Sequence, residues 1–63
     1  MDVIGQVGDA VLVDIDGTNI RVVYPDRVSE PLNGHQYLKR LGGYLTDADP
    51  ERAAEAIERL GAS

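Results

Sequence analysis

The chain has 63 residues, a net charge of −5 and no cysteine. That length fits one domain near the lower limit for a self-sufficient core, and the missing cysteines exclude disulfide staples, thiolate metal sites and cysteine nucleophiles. Seven Val, four Ile, six Leu, one Met and three Tyr, with no Phe or Trp, supply one modest core and leave association as a further way to bury apolar area.

The charge is uneven: residues 1–20 carry −4, residues 21–40 carry +2 and residues 41–63 carry −3. Such a chain is repelled by nucleic acid and drawn to basic protein surfaces. No run is long and apolar enough to span a bilayer. The start, Met1 to Gly5, lacks the basic region and apolar run of a signal peptide. A cytoplasmic protein that enters no membrane is expected.

In chain order, residues 2–7 form a first strand, joined through Gly8-Asp9 to a second over residues 10–16. A third strand over 19–24 ends at Pro25-Asp26, because proline cannot donate to a ladder. Placing Gly17-Thr18 as a two-residue type II′ loop sets Asp14 opposite Arg21 and Val13 opposite Val22. Val11, Val13, Ile15, Ile20, Val22 and Tyr24 then line one apolar face. Arg27 to Pro31 is read as loop.

Asn33 is an N-cap, with Gln36 three residues on, and it opens a helix over residues 34–41 that Gly42-Gly43 stops. Tyr37, Leu38 and Leu41 form its apolar stripe, while Lys39 and Arg40 suit the negative end of its dipole. Tyr44-Leu45 is a short connector or strand fragment. Asp49-Pro50 reads as cap and first turn of a second helix over 50–60, with Gly61 as its stop. Ala53, Ala56, Ile57 and Leu60 share one face, and Glu55 and Arg59 form an i,i+4 pair on the other.

The sum is an α+β domain: a three-stranded antiparallel meander (2–7, 10–16, 19–24) followed by two short helices covering its apolar face. The alternative is an SH3-like barrel. Val7 to Val13 resembles the first strand of such barrels, where a Gly-Asp turn precedes alternating valines.

Val11 to Thr18 delivers Asp-x-Asp-Gly-Thr from an apolar strand, which resembles the first motif of the haloacid dehalogenase superfamily of phosphatases. The resemblance implies Asp14 as nucleophile, Asp16 as acid/base and a magnesium ion between them. It also implies a third acidic ligand, a lysine and a hydroxyl on later strands of a parallel sheet. Only 45 residues follow Thr18, and the single lysine, Lys39, falls in a helical segment. The hairpin explains the same residues without chemistry. A calcium loop fails on spacing, since counting from Asp14 places Asn19 and Pro25 where glycine and a carboxylate are needed. His35 stands alone, and Ser29 and Ser63 lack a base at a recognisable spacing.

No enzymatic activity, cofactor or metal is therefore expected. A small acidic binding protein is, one that occludes a basic, nucleic-acid-binding surface of a partner protein without itself contacting nucleic acid. Arginine forks accept carboxylate and phosphate in the same bidentate geometry. The candidate contact residues are Asp14, Asp16, Asp47, Asp49, Glu51, Glu55 and Glu58. In size and charge the chain resembles phage- or plasmid-encoded inhibitors such as anti-CRISPR proteins. The other readings are an adaptor or structural subunit, monomeric or homodimeric through a strand edge or the Ala-rich helix, and last the magnesium-dependent phosphatase. Arg27, Lys39 and Arg40 form a small basic group, equally explained as solvent-facing residues.

Overall fold

Val11-Leu12-Val13 has no polar residue to alternate with, and it forms the middle of a sheet covered on both faces. The computed structural model describes residues 1–62. Strands β1 (Asp2–Val7), β2 (Ala10–Asp14), β3 (Asn19–Val23) and β4 (Leu32–Asn33) form an antiparallel sheet in the order β1-β2-β3-β4. Helices α1 (Gly34–Leu41) and α2 (Pro50–Ala62) follow. The α+β class agrees with the sequence reading; the first strand keeps its expected bounds, β2 ends at Asp14 instead of residue 16, β3 at Val23 instead of residue 24, and β4 is an addition.

The β2–β3 register differs by one residue from the expected one. Val11 lies opposite Val23, Leu12 opposite Val22, Val13 opposite Arg21 and Asp14 opposite Ile20. The turn is the cause. Ile15 N–H donates to Asn19 O at 3.0 Å, which leaves Asp16-Gly17-Thr18 as a three-residue loop in place of Gly17-Thr18. Asp16 Oδ1 accepts from the N–H groups of Thr18 (2.9 Å) and Asn19 (2.7 Å). An aspartate folding its own backbone in this way stabilises a turn that the two-residue count does not consider. Gly17 still takes a positive φ, of 88°. The type II′ pattern appears one hairpin earlier: Gly8 has φ 58°, the following Asp9 is not positive, and Val7 pairs with Ala10.

The shifted register divides the apolar residues between both faces. On one side lie Ala10, Leu12, Ile20 and Val22, covered by Tyr37, Leu38 and Leu41 of α1 together with Ile4, Leu32 and Leu45. On the other lie Val11, Val13 and Val23, covered by Ala56, Ile57 and Leu60 of α2 with Val3 and Val28. The expectation of both helices on a single apolar face is thus corrected: α1 and α2 pack on opposite faces. All of Ala10 to Val13 is buried, as befits a central strand covered twice. Strand β1 pairs with β2 and not with β4, so the sheet stays open and an SH3-like closure is not formed.

Short segments cover both sheet edges. Beside β3, Ser29 N–H donates to Val22 O and Val22 N–H to Ser29 Oγ, both at 2.8 Å, so part of the expected 27–31 loop is paired. Beside β1, Gln6 and Thr46 exchange both backbone hydrogen bonds at 2.8 and 2.9 Å. That pairing is one residue beyond the expected fragment at Tyr44-Leu45. It needs Gly5, where a Cβ would lie 2.6 Å from Thr46 O and 2.9 Å from Leu45 Cδ1.

Both helix starts follow the sequence. Asn33 Oδ1 accepts from Gln36 N–H at 3.1 Å, and Asp49 Oδ1 from Glu51 N–H at 3.2 Å. Helix α2 continues through Gly61 to Ala62 instead of stopping at Gly61.

Candidate protein-binding surfaces

Helix α2 is laid across the sheet by its two arginines. Near its start, Arg52 donates to Asp9 O in the β1–β2 turn and stands 3.9 Å from the Asp9 carboxylate. Near its end, Arg59 Nη1 donates to Tyr24 O and reaches Pro25 O at 3.3 Å. Gln6 fixes the approach: its Nε2 donates to Gly8 O at 2.8 Å, and its Oε1 accepts from Asp49 N–H at 3.1 Å. The expected Glu55–Arg59 pair is therefore not formed, because main-chain oxygens at the end of β3 take the guanidinium.

With both cations turned inward, the carboxylates hold the outer surface. Glu51, Glu55 and Glu58 are exposed and, at positions i, i+4 and i+7, they form a ridge about 10 Å long at helical rise. Among the described residues none of the three forms an ion pair. Asp47, also exposed, precedes the helix. Asp49 is exposed, but one of its oxygens caps the helix.

The remaining two candidates, Asp14 and Asp16, belong to the turn at the far end of β2, a strand of five residues spanning about 17 Å. Asp14 Oδ1 accepts from Gly17 N–H at 2.7 Å. The expected Asp14–Arg21 pair is absent, since the shifted register sets Arg21 opposite Val13 and Asp14 opposite Ile20, on different faces; Arg21 Nε donates to Ser29 O at 2.9 Å. Asp16 Oδ2 accepts from Asn19 Nδ2 at 3.1 Å, in addition to the two backbone bonds at Oδ1. Hydrogen bonds from the Asn19 and Thr18 backbone, then from the Asn19 side chain, hold the Asp16 carboxyl below its ordinary range. The seven candidate carboxylates thus separate into a turn pair and a group on and ahead of α2. Among the described residues, no three His, Asp or Glu side chains gather into a metal-binding set.

A second surface lies on the α1 side. Tyr24 and Tyr37 both pack against the Leu12 cluster. The Arg27 guanidinium sits 4.1 Å from the centre of the Tyr24 ring, a cation–π contact. Burial, and then the neighbouring Tyr24 phenol, raise the Tyr37 pKa above its ordinary range, while the Arg40 charge acts in the opposite direction. Sequence reading found Arg27 and Arg40 but missed the tyrosines. Their signal is the repeated Tyr-x-x-Arg spacing, at 24 and 27 and again at 37 and 40. Compared with protein-family models, curated proteins and solved structures, the chain matches none.

Proposed function

We propose that this is a small non-enzymatic binding protein whose α2 carboxylate ridge docks on a basic, nucleic-acid-binding surface of a partner protein. The observation that carries the reading is the asymmetry of α2: Arg52 and Arg59 are spent on the sheet, while Glu51, Glu55 and Glu58 face solvent together. Three carboxylates along about 10 Å of rigid helix match an arginine-lined groove that otherwise holds phosphates. The ridge is preorganised, so docking costs little backbone entropy. Asp47 extends the surface. Asp14, Asp16 and Asp49 take part less, because their oxygens already serve the backbone.

The test compares the wild type with E51Q/E55Q/E58Q, which keeps helix propensity and shape. Proteins captured from a host lysate by the wild type are identified, and their nucleic-acid binding is measured with and without it. The expected partner is basic, is lost with the triple variant and releases nucleic acid when the wild type is added. Retention of the same partners by the triple variant refutes the reading. A partner whose nucleic-acid binding is unaffected favours the adaptor role instead.

A further inference from the structure

We propose that the patch of Tyr24, Arg27, Tyr37 and Arg40 is a docking surface for the α2 ridge of a second copy of this chain, joined head to tail. The chain has six Lys and Arg residues. Arg21, Arg52 and Arg59 are used up on main-chain oxygens of their own fold. Two of the other three, Arg27 and Arg40, flank the tyrosine pair, and Lys39 is exposed beside Arg40. Arg27 has one ion pair, to Asp26 at 3.8 Å; both side chains are largely exposed, and such a pair contributes little. A guanidinium stacked on a ring still presents its edge N–H groups to a carboxylate.

Among the described residues, no ridge carboxylate pairs with Arg27 or Arg40 of its own molecule. Tyr37 packs on the Leu12 side of the sheet and α2 on the Val11 side, and the two surfaces approach each other only past the end of β3, where Tyr24 and Glu55 border one small cavity. A second copy brings a whole ridge to both guanidinium groups. Net repulsion between two chains of charge −5 does not forbid contact. The molecule measures 28 × 21 × 18 Å, so the centres of two copies in contact stay about two Debye lengths apart or more at a physiological screening length of about 8 Å. Contacting carboxylate–guanidinium pairs lie well inside that length. Because the two surfaces differ, each joined pair keeps one free patch and one free ridge, and association is open-ended. The ridge is shared with the proposed partner, so self-association and partner capture exclude each other. The self-association itself does not depend on that partner existing.

Sedimentation velocity and NMR translational diffusion on the purified full chain test this, with two variants, R27Q/R40Q and E51Q/E55Q/E58Q. At about 0.1 M salt the average mass of the wild type should rise with concentration from the high micromolar into the millimolar range, and fall back toward monomer near 1 M salt, where screening shortens to about 3 Å. Each variant alone should stay monomeric. Their equimolar mixture should form a closed one-to-one dimer, since one contributes an intact ridge and the other an intact patch. Amide shift changes on wild-type dilution should fall on both surfaces, a readout independent of how the variants fold. A wild type that remains monomeric at millimolar concentration overturns the proposal. So does association that survives in both variants, or a mixture that fails to pair.

Discussion

The two faces of one sheet are covered by different means. On the Leu12 side the cover is assembled from many pieces, namely α1, Ile4, Leu32, Leu45 and the tyrosine pair, and its outer surface is aromatic and basic. On the Val11 side one helix does most of the covering, through Ala56, Ile57 and Leu60, and its outer surface is a run of carboxylates. The first face gains stability from side-chain volume. The second gains it from close approach, since a buried alanine at position 56 lets α2 lie near the valines. A sheet of four strands therefore carries two chemically opposite surfaces, and that separation is what both functional proposals use.

Truncating each face separately should reveal the difference. Leu12 is fully buried, and Leu12→Ala should cost about 2–5 kcal/mol. At roughly 0.05–0.15 kcal/mol per residue, a chain this short has only about 3–9 kcal/mol of total stability. Urea titration should accordingly find Leu12→Ala close to unfolded at room temperature. Val13→Ala, on the α2 side, should cost about 1.5–3 kcal/mol, because a smaller side chain leaves the core. Equal costs per carbon removed would mean that the two faces are packed alike, and a silent Val13→Ala would mean that α2 does not hold its place.

Gly5→Ala addresses what binds the two faces together at the β1 edge. The added methyl would meet a backbone oxygen, Thr46 O, at 2.6 Å, which no rotamer change can relieve. A loss of about 1–3 kcal/mol is expected, the usual range for overpacking. Hydrogen exchange should speed up at Gln6 and Thr46 more than at Val11 and Val13. Uniform acceleration would show that the Gln6–Thr46 bridge contributes nothing locally.

Much of the fold was legible in the sequence. Asn33 and Asp49 announced their helices, and Pro25 ended the third strand, because caps and breakers act through their own neighbours. The register was not legible, since two turn chemistries compete for Asp16-Gly17-Thr18 and side-chain hydrogen bonds decide between them. The second covered face had a signal, however. Val11-Leu12-Val13 and Val22-Val23 are unbroken apolar runs, which suit a strand buried on both sides better than a half-exposed one. Of the candidate site, Glu51, Glu55 and Glu58 were named for their charge, as part of the acidic set, and their i, i+4, i+7 spacing on a helix is what brings them onto one side. The inward turn of Arg52 and Arg59 depends on where α2 crosses the sheet, and no local pattern contains that.

The two turns at the ends of β2 provide the smaller tests. Gly17→Ala forces a side chain to adopt φ 88° and should cost about 1–2 kcal/mol. Gly8→Ala, at φ 58°, should cost a similar amount by the same mechanism. A markedly smaller loss at Gly17 would show that the Asp16 hydrogen bonds, and not the glycine, determine the three-residue loop.

Acid titration isolates that carboxylate. The folded pKa of Asp16 lies below its ordinary value of 3.8, owing to the Asn19 and Thr18 donors. The stabilisation is therefore fully present above the unfolded value and disappears as pH falls through the folded one. Asp16→Asn keeps an acceptor oxygen for the two backbone N–H groups but removes the charge and its titration. At neutral pH the variant should be slightly less stable than the wild type, with the gap closing below about pH 4 as the wild-type carboxyl protonates. Carbon-detected NMR titration should find Asp16 protonating at lower pH than an ordinary aspartate. If it titrates at the ordinary value, the turn is held by backbone geometry alone, and the one-residue register shift that separates the two faces must originate in packing rather than at the loop.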